Sequence, residues 1–424
     1  MSKIQARTWR WRVFEGTGAK PADQPFGTVA YVLADPGIPV GGTKGASVHV
    51  SAICRAMARL GLRVTLYAAK VVGPLAGPGS DGVEVKEFSF GHVPSGTPGE
   101  RARIAGAAAF YERLDRAMSD RPVDLVIERL SLFARGSGAV AERVGAARLV
   151  EVNAPVAQER ARHFGLGHAM EAAEAERSAL EGASVVAVSG PLADWAISCG
   201  AASAAVVANG AEVSALDPDA QSQAGRALGK ELGISGAVVV GFVGSLKPWH
   251  GVEVLLEAMD HLDAPLVVVG DGPMRESLEA QAHRLGIWSH FVGAVPAPEV
   301  PRYLAAMDVS VAPYLPADPF YFSPLKVVEA MAGGLAVVAS DFPTVADALG
   351  DTGILVPPAD PSALHDALVR LLGDGGLRSR LGKAARERAV AQFDWEAVAA
   401  RVLAHAAHPQ PVTPRTSVVA GGLR

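Results

Sequence analysis

The chain has 424 residues, 49% of them apolar and 20% charged, which is too long for one core and fits two globular domains of about 200 residues each. A formal net charge of −5 without a long basic run leaves a nucleic-acid groove without electrostatic support. Two cysteines, Cys54 and Cys199, stand too far apart for metal-ligand spacing or a disulfide framework and read as reduced core residues.

At the amino end, Thr8-Trp9-Arg10-Trp11-Arg12 lacks the apolar centre of a signal peptide. No stretch reaches the roughly 18 continuous apolar residues of a membrane span. These features predict a cytoplasmic protein without a transmembrane segment and leave room for peripheral membrane contact. Strand-like runs follow at 28–34, 63–68, 83–88, 124–127, 148–152, 185–188 and 205–207, separated by segments of helical period. They are apolar on both faces, as a parallel sheet covered by helices on each side requires. A polar stretch over 212–232 marks a domain boundary; Asp217-x-Asp219 inside it reads as polar connection rather than a metal motif. A second strand series runs through 238–243, 266–269, 309–312, 336–339 and 353–356. The expected fold class is therefore α/β, two Rossmann-like doubly wound parallel sheets, with ligands bound at the strand carboxyl ends in a cleft between them. Beyond about His405 the periodicity is lost, which predicts a frayed tail.

Three segments have the composition of ligand loops. The first strand runs into Asp35-Pro36-Gly37-Ile38-Pro39-Val40-Gly41-Gly42-Thr43-Lys44-Gly45 and then a helix. Glycines let the backbone approach a ligand, and a helix amino end favours negative charge. The loop has neither Walker nor dinucleotide spacing, so a plain tight turn is an equal reading. The second domain repeats the device in Gly244-Ser245-Leu246-Lys247-Pro248-Trp249-His250-Gly251. Lys247 is there a cation for a diphosphate leaving group or, alternatively, a solvated lysine; Trp249 and His250 equally well shape the loop. In the third segment, 318–334, Ser323 suits an N-cap, Pro324 the first helical position, and Gly333-Gly334 the end of a short helix carrying Leu325, Lys326 and Glu329. Its amino end would hold phosphate oxygens and Glu329 a ribose diol. The alternative, a Lys326–Glu329 pair at i, i+3, is worth roughly a few tenths of a kcal/mol and does not explain so short and apolar a helix.

Asn209-Gly210-Ala211-Glu212, Val269-Gly270-Asp271-Gly272-Pro273 and Glu329-Ala330-Met331-Ala332 resemble, in order, Asn-Gly-Val-Asp, the Gly-x-Gly-Pro turn and Glu-Ala-Met-Ala of the retaining glycosyltransferase family four. Over about 27–405 the chain is thus similar to that family and its GT-B fold. The resemblance implies an amino-terminal acceptor domain over 1–212 and a donor domain over 213–395. A helix at about 396–408 would pack back on the first domain, and 409–424 would form a flexible tail. It further implies that Glu329 binds the donor ribose and that Gly41 and Gly42 approach the diphosphate. Three positions depart from the pattern: Tyr321 replaces the first of two glutamates, Ser245 and His250 replace a basic pair with Lys247 between them, and Asn153 stands where a histidine is common. The replaced positions stay polar, which reads as a subgroup rather than a decayed enzyme.

The implied reaction transfers a sugar from a nucleotide diphosphate donor with retention of configuration, without an obligatory metal and without a cofactor. Lys247, Lys326 and Asn153 are the candidate catalytic residues. Gly41, Gly42, Gly244, Ser245, Lys247, Ser323, Leu325, Lys326 and Glu329 are candidates for the donor. Lys44, Ser47, His49, Glu128, Arg129, Glu151 and Asn153, near strand ends and loops, are candidates for a small-molecule or glycan acceptor, although His49 equally suits a packing role inside its helix. A nucleotide-sugar epimerase or phosphorylase shares such a fold, as does a non-catalytic sugar-nucleotide binding module, because architecture does not fix reaction. A nicotinamide dehydrogenase lacks its glycine fingerprint here.

Overall fold

The computed structural model describes residues 25–42, 45–75, 82–119, 121–316 and 323–409. Lys44, Tyr321 and the expected tail from 410 onward lie outside the described residues.

The first sheet is built from β1 (Thr28–Leu33), β2 (Arg63–Ala68), β3 (Val83–Glu87), β4 (Leu125–Arg129), β5 (Ala147–Val152), β6 (Ser184–Ala187) and β7 (Ser203–Val206). Helices α1 (Gly45–Arg59), α2 (Gly96–Met118), α3 (Gly138–Val144), α4 (Val156–Phe164), α5 (Ala169–Leu180) and α6 (Gly190–Ser198) connect them. The second sheet contains β8 (Val240–Val243), β9 (Leu266–Val269), β10 (Ser289–Gly293), β11 (Val309–Ala312), β12 (Ala336–Ser340) and β13 (Ile354–Val356). Its helices are α7 (Pro218–Glu231), α8 (Val252–Ala258), α9 (Arg275–Arg284), α10 (Val300–Leu304), α11 (Leu325–Ala332), α12 (Pro343–Leu349), α13 (Pro361–Gly373) and α14 (Gly375–Gln392). A final helix, α15 (Trp395–Ala407), closes the described chain.

Both sheets are parallel, with strand orders β3-β2-β1-β4-β5-β6-β7 and β10-β9-β8-β11-β12-β13. The order reverses between β1 and β4 in one sheet and between β8 and β11 in the other, and at such points the loops diverge and open a crevice. Two-residue periodicity explains the burial. Val29, Tyr31 and Leu33 face a cluster holding Ile53 and Met57 of α1, while Ala30 and Val32 face Phe110, Leu114 and Met118 of α2. In the second sheet Val240 and Phe242 pack with Leu255 and Leu256 of α8, and the opposite layer carries Val327, Val328 and Met331 of α11.

The chain passes between the domains twice at one place. Ala211 pairs with Asp394, its N–H donating to the carbonyl of Phe393 at 2.7 Å. Beyond this point Trp395, Val398, Val402 and Leu403 of α15 join the core of the first domain.

Three sequence expectations are corrected. β10 was not expected, because Ser289-His290-Phe291-Val292-Gly293 opens polar; as the edge strand beside β9 it stays only partly buried. The polar stretch expected as a connection contains α7, whose Asp217 caps it by accepting from the N–H groups of Asp219 and Ala220, each at 3.0 Å. Pro324, not Ser323, occupies the N-cap of α11.

Candidate active site

The crevice of the second sheet is bounded by the loop after β8 and the segment after β11, and glycines let these approach backbone to backbone. Gly251 has φ +66°, and a Cβ there would stand 1.9 Å from the carbonyl oxygen of Pro313. At Gly270, φ is +138° and a Cβ would meet the carbonyl oxygen of Gly244 at 1.9 Å. The loop is thereby fixed, and the start of α11 turns toward it. The N–H groups of Val327 and Val328 return to the carbonyl of Pro324 at 3.0 and 3.2 Å, and that of Leu325 to Ser323. The free amino end is therefore smaller than a helix start without such turns would offer.

Lys326 aims into this crevice. Its ammonium lies 4.4 Å from the ring centre of Phe242 and 4.7 Å from that of Tyr314, and makes no hydrogen bond among the described residues. A Cβ at Gly244 would stand only 3.0 Å from its Nζ. Cation–π contacts soften this environment but do not replace water or a counterion. Burial accordingly pushes the ammonium pKa down to about 7, against the opposing pull of Glu329. Burial also pushes Glu329 up to about 7, with Lys326 opposing. Both keep a partly exposed edge within this packed surround. No ion pair joins them among the described residues, so each is free to serve a ligand. The Tyr314 phenol is raised by burial and by Glu329, which keeps it a neutral hydroxyl.

Lys247 sits beside the same loop, its Nζ 5.4 Å from the ring centre of Trp249. His250 Nδ1 donates to the carbonyl of Ser245, because a carbonyl oxygen only accepts. Burial, Lys326 and Lys247 press the imidazole pKa down to about 4. It is thus neutral at pH 7 and adds no cation to the crevice. Ser245 itself is exposed.

Across the cleft, Gly41 has φ +78° and packs so closely on Gly73 that a Cβ would meet its carbonyl oxygen at 2.5 Å. Gly42 faces Ser47, whose buried hydroxyl has no hydrogen-bond partner among the described residues. The first residue of α1 lies near the first of α11: a Cβ on Gly45 would stand 3.6 Å from Leu325 Cδ1. Two helix amino ends from different domains therefore come close together at Gly45 and Leu325, next to Lys326, an arrangement suited to a polyanion.

The second polar centre is the Glu151 carboxylate at the end of β5. Arg129, its ladder partner on β4, donates to Oε1 at 2.8 Å, Tyr31 donates to Oε2 at 2.8 Å, and Asn153 also donates to Oε1. His49 Nε2 stands 2.8 Å from Oε1. Burial pushes this carboxyl up, but His49, Arg129 and Tyr31 together outweigh it and hold it far below the usual carboxylate range. His49 Nδ1 then reaches Asn209 Oδ1 at 2.8 Å, and the Asn209 N–H donates to Ser323 Oγ at 3.0 Å. This chain of contacts runs from the first sheet to the start of α11. Glu128 is absent from it: fully buried, it accepts from Tyr111 and from the N–H of Ser137 at 2.5 Å, on the opposite face of β4.

Tyr31, Asn209 as a bridge, Phe242 and Tyr314 escaped sequence reasoning as site residues. Strand alternation carries a partial signal for Phe242, placed on the penultimate β8 position before the glycine loop. The contacts of Tyr31 and Asn209 depend on partners 120 and 114 residues away, which no local pattern marks.

Residues 237–374 match the family model of glycosyl transferases group 1. Among curated proteins the chain is 34% identical over 226 residues to a phosphatidyl-myo-inositol mannosyltransferase of Mycobacterium leprae, covering 51% of this chain and 57% of that one. The chain spans about half the length of the curated relatives it matches. Among solved structures it is similar to a sucrose-phosphate synthase from Thermosynechococcus elongatus, with TM-score 0.66 and 23% identity, covering 88% of this chain and 96% of that one. It is also similar to an Anabaena protein in complex with UDP and glucose, with TM-score 0.66 and 20% identity, covering 90% and 99%. These structures share the GT-B arrangement of two parallel-sheet α/β domains, and that is the fold of this chain.

Proposed function

We propose that the chain is a retaining glycosyltransferase that takes a hexose-type sugar from a nucleoside diphosphate donor. The observation that carries this reading is the unpartnered ammonium of Lys326 against Gly244, one helical turn from Glu329, at the switch point of the second sheet. A diphosphate placed there forms an ion pair with that ammonium. Glu329 accepts from the ribose diol, Ser245 and the amino ends of α1 and α11 add hydrogen bonds, and Lys247 supplies a second cation at the loop. The glycosyltransferase relatives in sequence and the UDP-bound neighbour in fold support the same assignment.

In the reaction, the bond from the anomeric carbon to the diphosphate oxygen breaks while the acceptor oxygen bonds to that carbon on the same face. The acceptor proton passes to the leaving phosphate. Negative charge grows on the diphosphate toward the transition state, so fixed cations there accelerate the step rather than merely strengthen binding. Lysines meet that charge in this reading, and it calls for no metal or cofactor. Asn153 acts by holding Glu151, and through it Arg129 and His49, at the acceptor side.

The test measures nucleoside diphosphate release in the presence of sugar acceptors, with the product's anomeric configuration read by proton NMR. Lys326→Ala should lower turnover on the order of 100-fold to 1000-fold, and Lys247→Ala should also lower turnover more than donor affinity. Release of inverted product, or full turnover in Lys326→Ala, contradicts the proposal.

A further inference from the structure

Beside the loop after β1 lies a second cavity of about 380 Å³, bordered by Pro94, Ser95, Gly96, Arg103, Arg160 and Phe164. Its lining carries two arginines and one carboxylate. Glu100 also borders it, but this buried carboxylate accepts the N–H groups of Gly167 at 3.0 Å and His168 at 2.9 Å and turns its oxygens to that backbone. Arg103 gives one nitrogen to Asp35 at 3.1 Å. Arg160 has no carboxylate partner among the described residues. Its guanidinium lies 5.1 Å from the ring centre of Phe164, and its buried Nε makes no hydrogen bond among those residues. The 23-residue α2 begins at the same wall, with no side-chain cap from Ser95 and no acidic residue in its first turn.

The cavity is tied to the donor site at two points. The Asp35 oxygen that holds Arg103 also accepts the Gly37 N–H at 2.7 Å, shaping the loop that leads to Gly41 and Gly42. On α4, Arg160, His163 and Phe164 share one face by their i, i+3, i+4 spacing; the His163 ring lies 5.7 Å from that of Trp249 in the donor loop. An acceptor anchored by Arg160 would therefore sit beside the transferred sugar.

We infer that this cavity binds a phosphate ester carried by the acceptor, an inference that rests on the glycosyltransferase reading. A phosphate matches the forked guanidinium donors and the uncapped start of α2, and Phe164 with Pro94 supplies an apolar wall for the group next to it. The anchor fixes which acceptors are taken, whereas the donor contacts of Ser245, Lys247, Lys326 and Glu329 lie on the other domain.

Calorimetry with sn-glycerol 3-phosphate, in the presence of saturating nucleoside diphosphate to fill the donor site, tests the inference. The wild-type protein should bind the ester and not glycerol; Arg160→Ala should weaken that binding at least tenfold, and Arg160→Lys should recover part of it. Because Arg160 has no carboxylate partner among the described residues, the variant should keep its melting temperature and nucleotide affinity, which separates this result from failure of the donor assignment by Lys326→Ala. A parallel cosedimentation with phosphatidylglycerol and phosphatidylcholine vesicles identifies the source: Arg160-dependent capture by the anionic vesicles alone assigns the phosphate to a lipid headgroup. Absence of both ester binding and Arg160-dependent vesicle capture, or equal binding in wild type and Arg160→Ala, overturns the inference.

Discussion

At the scale of single residues, the account turns on Lys326 and Glu329, two groups that burial drives toward neutrality from opposite directions. The folded lysine has its pKa lowered from 10.5 to about 7, so the unfolded chain holds more protons between those values and stability rises with pH across that window. The glutamate is raised from 4.5 to about 7, so the folded chain holds more protons there and stability falls as pH rises through that interval. These two groups together place their least stable point near neutral pH, where a bound diphosphate would restore the lysine charge. Nucleoside diphosphate binding at pH 8 should therefore take up a proton, seen as a buffer-dependent heat in calorimetry, and affinity should fall as pH rises from 7 to 9. Lys326→Met should bind more weakly and lose the uptake; wild-type binding without uptake would contradict the role given to Lys326. The sequence made both residues legible as a pair on a short helix after a proline. It could not show that they fail to pair, because that depends on Phe242 and Tyr314 enclosing the ammonium.

At the scale of elements, backbone contacts made by glycines hold the donor loop. Gly270→Ala would place a methyl group 1.9 Å from the Gly244 carbonyl at a φ of +138°, where an L side chain is strained as well as crowded. The expected outcome is a loss of roughly 1–3 kcal/mol in denaturant unfolding, with a larger loss of nucleotide affinity, since the displaced loop is the one that meets the phosphate. Unaltered affinity in a folded Gly270→Ala protein would detach that loop from the donor. The strand pattern, the glycine loops and the short helix were legible because each rests on local periodicity or a local turn. β10 was not, since an edge strand needs only one covered face. The cap of α11 was misread because Ser323 hydrogen-bonds across the cleft to Asn209 instead of to its own helix.

At the scale of the whole molecule, the two sheets meet through a few defined contacts: Asn209 with Ser323, His163 with Trp249, and the double crossing at Ala211 and Asp394. Because α15 returns to the first core after the donor domain is complete, the two domains are interlocked rather than strung in series. Composition and periodicity made two parallel sheets legible, and the ordered motifs implied a cleft. The convergence of α1 and α11 on one point was not legible, because Gly45 and Leu325 are joined only by tertiary packing. The central claim is that this point holds the donor diphosphate, and a structure of the protein with a nucleoside diphosphate bound tests it most directly. The account predicts a phosphate oxygen within hydrogen-bond distance of Lys326 Nζ beside Gly244, with the ribose at Glu329. A nucleotide lodged instead between Arg103 and Arg160, or anywhere that leaves Lys326 without an anionic partner, would contradict it.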